Sequence, residues 1–103
     1  MALTVKYYIT QISNENKESA TLITNESVIL SNTGKFVLTP VITGATSSSP
    51  VQSHYSYEGG SYVAITNSTT VSKGFGKYTI KTVVGQGDPT YINFYVRSQF
   101  TDL

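Results

Sequence analysis

Cysteine and tryptophan are absent from this chain, and charged residues make up only 13% of its 103 positions. Without cysteine, a disulfide framework and a thiolate metal site are both excluded. The formal net charge is +1. Lys6, Lys17, Lys35, Lys73, Lys77, Lys81 and Arg97 are spread along the chain rather than clustered. A nucleic-acid-binding protein normally shows a basic patch or stripe, so nucleic acid is not expected as a partner. Leucine and alanine are scarce, which argues against long helices. No apolar run approaches the roughly 20 residues of a transmembrane helix, and no membrane association is expected. The opening MALTVKYYITQ lacks a basic segment followed by an apolar run. No signal peptide is therefore expected, and the chain is expected to stay in the cytosol unless it leaves within a larger assembly.

Valine, isoleucine, tyrosine, threonine and phenylalanine dominate instead, a composition that suits pleated, half-buried surfaces. The length fits one domain covering residues 1–103, with roughly 65% of the unfolded surface available for burial. The exposed surface must be largely Ser, Thr, Asn and Tyr. Such a surface offers little charge repulsion against association, with copies of itself or with another protein.

The stretch from Tyr55 to Arg97 organises the chain. It contains two hairpins: Tyr55–Tyr57 turning at Glu58-Gly59-Gly60 into Tyr62–Ile65, and Tyr78–Val84 turning at Gly85–Pro89 into Tyr91–Arg97. The arms alternate apolar and polar residues, as a strand with one buried face does, and each turn contains glycine. Before this stretch, Leu3–Ile12 alternates with Leu3, Val5, Tyr7 and Ile9 on one face. Ser13–Glu18 reads as a polar loop. Ala20–Thr24 and Ser27–Leu30 read as two strands, or as one with a bulge. Lys35–Thr43 is apolar on both faces, as in a central strand, but Pro40 cannot donate to a ladder and predicts a bulge or a switch between sheets. Gly44–His54 is the longest irregular stretch, and Ser98–Leu103 is a tail that is either free or a docking arm. The whole predicts an all-β, antiparallel sandwich of seven to eight strands.

No residue cluster announces a chemistry. His54 is the single histidine; serines are common enough that one near it means little, and no G-x-S-x-G elbow is present. It is expected at a loop end or rim. The carboxylates fall mainly in turns and loops, with Glu58 and Asp88 expected at opposite ends of the sandwich. They predict neither a glycosidase pair nor a calcium site. Gly85-Gln86-Gly87 lacks the helix that makes a phosphate loop bind anions. Asn25-Glu26-Ser27 and Asn67-Ser68-Thr69 match the glycosylation pattern at a frequency such composition produces by chance. No catalytic residue, cofactor or metal is expected, and the chain is not expected to be an enzyme.

Tyrosine is the informative residue type. Tyr7, Tyr55, Tyr57, Tyr62 and Tyr78 are expected in the core or at a corner. In the last strand Ile92, Phe94 and Val96 share one face, which puts Tyr91, Tyr95 and Arg97 with Asn93 on the other. Tyr and Arg are frequent interface anchors, so Tyr91, Tyr95 and Arg97 are the candidate protein-interface residues.

Gly76-Lys77-Tyr78 resembles the tyrosine corner of immunoglobulin-like domains, in which a hydroxyl near the start of the penultimate strand bonds back to upstream backbone. YSYEGGSYVAI resembles the C–C′ hairpin of bacterial and phage immunoglobulin-like domains. The resemblance covers roughly residues 27–97 and implies an immunoglobulin-like sandwich. A solitary, cysteine-free domain of that kind resembles the small auxiliary (decoration) proteins on the capsids of tailed bacteriophages, and less closely small tail or head-fibre components. The resemblance implies a virion structural protein, made in the host cytoplasm, with the major capsid protein or other virion proteins as partner. A carbohydrate-binding or adhesive module is the alternative, with Tyr57, Tyr62 or Tyr91 as its aromatic platform.

Overall fold

A computed structural model describes residues 3–13, 16–31 and 34–98. Nine strands and no helix are found among them. They are β1 (Thr4–Ser13), β2 (Asn16–Leu22), β3 (Ser27–Ser31), β4 (Phe36–Thr43), β5 (Val51–Tyr57), β6 (Val63–Ala64), β7 (Thr69–Val71), β8 (Gly76–Val84) and β9 (Thr90–Ser98). They form a four-stranded sheet in the order β2-β1-β4-β7 and a five-stranded sheet in the order β3-β9-β8-β5-β6. Every pairing is antiparallel except that of β3 with β9. The chain is an all-β, two-sheet protein.

The alternation along β1 holds: Tyr7 and Ile9 are buried, and Val5 packs against them. Of the expected polar loop Ser13–Glu18, Ser13 ends β1 and residues 16–18 already belong to β2, with Ser13 opposite Asn16 and a register shift between Thr10 and Ile12; residues 14–15 lie outside the described residues. Ala20–Thr24 and Ser27–Leu30 belong to different sheets. The β2 ladder extends to Ile23, whose N–H donates to the Tyr7 carbonyl at 2.8 Å. The chain then crosses at Asn25-Glu26, and the Glu26 N–H donates to the Asn93 carbonyl at 2.6 Å.

Pro40 causes neither a bulge nor a switch. The β1–β4 register runs unbroken from Thr4↔Thr43 to Gln11↔Phe36, with Tyr7 opposite Pro40. Tyr7 turns its carbonyl toward Ile23, so its pairing with Pro40 is of the non-hydrogen-bonded kind. The Pro40 nitrogen therefore faces the opposite edge of β4. There β7 pairs only with Phe36, Val37 and Leu38, so no ladder bond is lost. Of the stretch Gly44–His54, only the part before β5 is irregular, and it folds on itself through a Thr46↔Ser49 bridge. The strand count exceeds the expected seven to eight because the short β7 pairs independently. Residues 99–103 of the expected tail lie outside the described residues.

Both hairpins form as expected. In the first, Glu58 and Gly59 have φ of 53° and 77°, and the Gly60 N–H donates to the Tyr57 carbonyl at 2.9 Å. Two positive-φ central residues are the signature of a type I′ turn, whose twist matches the flanking strands.

The core lies between the sheets, and Tyr78 is its hub. Its ring stacks on Phe94 at 5.2 Å between centroids, receives Phe36 of the opposite sheet edge-on at 5.2 Å, and meets Tyr57 at 5.0 Å. Its hydroxyl donates to the Gly74 carbonyl at 2.6 Å, the back-bond expected of a corner tyrosine. A second hydroxyl bridges the sheets further along. The Tyr7 hydroxyl lies 2.7 Å from Ser53 Oγ and 2.6 Å from Thr82 Oγ1, and all three side chains are buried.

Tyr7→Phe leaves the Ser53 and Thr82 hydroxyls buried without that partner and should cost about 1–3 kcal/mol. Adding Ser53→Ala and Thr82→Val should recover most of the loss, because replacing all the polar partners by apolar groups is nearly neutral. Chemical denaturation of the single and triple variants checks this, and a triple variant no more stable than the single one would contradict it.

Tyr78→Phe should cost about 1 kcal/mol near neutral pH, the net worth of one hydrogen bond. Burial, with smaller contributions from Tyr57, Tyr55 and Glu58, raises the Tyr78 phenol pKa well above the ordinary tyrosine value. As pH climbs past about 10, the unfolded chain releases this proton before the folded one does, so wild-type stability falls there. The Phe variant escapes that loss. Denaturation midpoints of the two proteins should therefore converge between about pH 8 and about pH 11; a constant gap would contradict the assignment.

Candidate functional site

The outer face of the five-stranded sheet gathers the candidate residues. In β9, Phe94 and Val96 are buried and Ile92 packs on the core, which turns Tyr91, Asn93, Tyr95 and Arg97 outward. The register continues this face across the neighbouring strands. Val28 and Leu30 of β3 lie beside Tyr95 and Arg97. Lys77, Thr79 and Lys81 of β8 lie beside Tyr95, Asn93 and Tyr91. Tyr91 is 51% exposed, and Val28 and Leu30 are each 54% exposed. Tyr91, Tyr95 and Arg97 are thus brought onto one surface. The two aliphatic neighbours were not among the expected site residues. The alternation of SVILS sets Val28 and Leu30 against Ile29, but both sets are apolar, so the sequence does not say which faces out.

Hydrogen bonds fix this face in place. The Tyr95 hydroxyl donates to Glu26 Oε1 at 3.2 Å, and the Asn93 amide lies 3.4 Å from Glu26 Oε2. Thr79 Oγ1 donates to Asn93 Oδ1 at 2.8 Å, and the Asn93 N–H donates to Asn25 Oδ1 at 2.9 Å. The Arg97 guanidinium lies 5.9 Å from the centre of the Tyr95 ring, and the Lys81 ammonium lies 5.3 Å from that of Tyr62. Tyr95 is therefore half-buried and held on both sides, whereas Tyr91 takes no part in these bonds.

Beside Tyr95 and Arg97 the face ends in an open cleft of about 480 Å³, lined by Glu58, Phe75, Gly76, Lys77, Tyr95 and Arg97 with neighbouring backbone. The Glu58 turn folds back over the start of β8 to form it. Glu58 donates its N–H to the Lys77 carbonyl at 2.8 Å, and its Oε2 accepts the Lys77 N–H at 2.5 Å. Positive φ at a residue other than glycine costs about 1–2 kcal/mol, and these paired bonds offset it. The Tyr57 hydroxyl donates to the Phe75 carbonyl at 2.6 Å, holding the opposite wall.

One tyrosine departs from the core expectation, and another meets it and so drops out of the alternative aromatic platform. Tyr62 is exposed rather than in the core; it lies between the type I′ turn and the point where the ladder with β5 begins, at Val63. Tyr57 packs against the core with its hydroxyl engaged, so it is no part of an exposed platform; Tyr62 and Tyr91 remain available for one. Of the two places expected for His54, loop end or rim, the structure rules out the first. His54 sits within β5, opposite Lys81 and Ala64, not at a loop end. Glu58 and Asp88 do fall at opposite ends of the sheet, since Tyr57 pairs with Tyr78 and Thr82 with Thr90. Gly85-Gln86-Gly87 is a hairpin turn closed by the Gly87 N–H on the Val84 carbonyl at 2.9 Å. Among the described residues, no three His, Cys, Asp or Glu side chains gather as metal ligands, and no helix is long and apolar enough to cross a membrane.

Gly76 is the residue this cleft tolerates least change in. Its φ is 150°, and a Cβ there would collide with the Glu58 carboxylate and come within 2.9 Å of the Tyr57 ring. Gly76→Ala should cost about 1–3 kcal/mol through backbone strain alone and should displace Glu58 from the Lys77 N–H. Denaturation together with the Lys77 amide chemical shift checks both effects; an unshifted amide would contradict the geometry. Compared with known proteins, the chain matches no protein-family model and no curated protein sequence.

Proposed function

We propose that this chain is a non-enzymatic structural protein of a virus particle. In this reading it is an auxiliary, or decoration, protein that docks on a repeated protein surface such as a capsid lattice. The observation that carries the docking is the continuous outer face on which Tyr91, Tyr95 and Arg97 lie beside the exposed Val28 and Leu30. Aromatic and arginine anchors with adjacent exposed apolar area are what protein interfaces select. The low charge of the chain adds little repulsion when copies pack side by side.

The immunoglobulin-like resemblance supplies the virion setting, and several features favour it. Taking β1, β4 and β7 as strands A, B and E, and β5, β6, β8 and β9 as C, C′, F and G, the sheet orders become β2-A-B-E and β3-G-F-C-C′, which contain the A-B-E and G-F-C-C′ orders of that fold with β2 and β3 added at one edge of each sheet. The Tyr78–Gly74 bond sits where a tyrosine corner belongs. The host cytoplasm would be the place of synthesis and the virion the destination, with the major capsid protein or a neighbouring virion protein as partner. A carbohydrate-binding or adhesive role is the second reading, favoured by the exposed rings of Tyr62 and Tyr91.

Interface anchors lose about 2 kcal/mol or more each on truncation. Tyr91→Ala, and Tyr91→Ala combined with Tyr95→Ala, should therefore be depleted from purified particles relative to wild type. The single variant keeps the Tyr95–Glu26 bond and guards against a folding artefact. Full incorporation of both variants would remove this face as the docking surface. Absence of the wild-type protein from particles would overturn the virion reading, and loss of glycan binding with particle incorporation intact would favour the second one.

A further inference from the structure

We propose that the cleft between Glu58 and Arg97 is the anchoring point of the docking face, and that it receives an acidic side chain from a protein partner between Lys77 and Arg97. This rests on the docking reading above and names the chemistry of the partner. Lys77 and Arg97 both line the cleft. Among the described residues, the two carboxylates bonded to residues of this face or cleft are committed elsewhere. Glu58 accepts the Lys77 backbone N–H and packs on Gly76, while Glu26 is bonded by Tyr95 and Asn93. Neither is bound to the Lys77 ammonium or the Arg97 guanidinium, so the attraction of these cations is directed outward.

The cleft is also built for a carboxylate rather than for bulk anion. Arg97 lies over the Tyr95 ring, an arrangement that holds the guanidinium plane while leaving its in-plane N–H donors to grip a carboxylate in two places. Phe75, 41% exposed, stands as an apolar wall for the methylene stem of an aspartate or glutamate. A sulfated glycan or a nucleic acid strand would call for a track of cations. Here, among the described residues of β8 and β9 on this face, the remaining cation, Lys81, lies beyond Thr79 and over Tyr62, so no continuous track of cations runs on from Lys77 and Arg97. A neutral sugar would have no use for either charge.

Titration of the full-length, ¹⁵N-labelled protein with a hexaglutamate peptide tests this directly, with hexaglutamine and a heparin-derived hexasaccharide as comparisons. Hexaglutamate should shift the Gly76, Lys77 and Arg97 amides in a saturable way, and hexaglutamine should not. The binding should weaken when salt rises from 0.1 M to 1 M, as the Debye length falls from about 10 Å to about 3 Å. Lys77→Gln combined with Arg97→Gln, with the remaining spectrum unchanged, should bind at least about tenfold more weakly, equivalent to about 1.4 kcal/mol. Arg97→Lys should retain only part of the affinity, because a point charge replaces a two-pronged donor. The proposal is overturned if hexaglutamate leaves those amides unmoved, if the double variant binds as wild type does, or if the hexasaccharide binds as well with shifts extending to Lys81. Because the readout is at the cleft, it stands or falls separately from the incorporation of Tyr91 and Tyr95 variants into particles.

Discussion

Tyr78 is the side chain on which the rest of the molecule depends. Its ring is the meeting point of Phe36 from one sheet and of Tyr57 and Phe94 from the other. Edge-on and offset contacts of this kind are worth about 0.5–1.5 kcal/mol each beyond the area they bury. Its hydroxyl fastens the Gly74 carbonyl and so fixes where the chain enters β8. That entry decides where Gly76 and Lys77 lie, and hence whether Glu58 reaches the Lys77 N–H. The core and the cleft share one cause: a phenol too buried to be solvated, which must find its acceptor in the turn beside it.

The polar atoms within the sandwich follow the same rule. Burying a hydroxyl is unfavourable unless it is hydrogen-bonded. The Tyr7 hydroxyl meets both Ser53 and Thr82 across the gap between sheets. This sets the relative register of β1 against β5 and β8, which hydrophobic contact alone specifies weakly. A slip of one residue in any of these strands would turn its side chains over and strand the hydroxyls in apolar surroundings. The outer face of the five-stranded sheet inherits that rigidity, since Lys81 and Tyr91 lie one step from Thr82 along the same ladder.

Much of this architecture was legible in the sequence because alternation is a local signal. The β9 assignment needed only Ile92, Phe94 and Val96 on one side and Tyr91, Tyr95 and Arg97 on the other, and the core positions bear that side assignment out. Tyr78 was legible because its neighbours Gly76 and Lys77 place it at a strand start. What escaped was set by distant pairing. Pro40 reads as a ladder breaker until it is known that Tyr7 bonds to Ile23 and that β7 stops at Leu38. Ala20–Thr24 and Ser27–Leu30 look like neighbours until Glu26, at φ 67°, sends the second beside Asn93. The cleft was invisible because Glu58 and Lys77 are far apart in sequence and meet only when the first hairpin lies against β8.

A protein that binds through a sheet face rather than through loops trades adaptability for preparation. Ordering a rotamer-rich side chain at an interface costs about 0.5–1.5 kcal/mol, and on this face much of that cost is met during folding. Tyr95 is fixed by Glu26, Asn93 by Thr79 and Asn25, and Arg97 by the ring beneath it. Tyr91 alone among the candidate anchors lacks such a tie, and under the docking proposal a partner would have to order it. The face therefore has a rigid end at the cleft and an adaptable end at Tyr91. A repeated surface would first be oriented by charge at Lys77 and Arg97, since long-range attraction acts on encounter. It would then be sealed by apolar contact at Val28, Leu30 and Tyr91, where exclusion of water supplies the affinity.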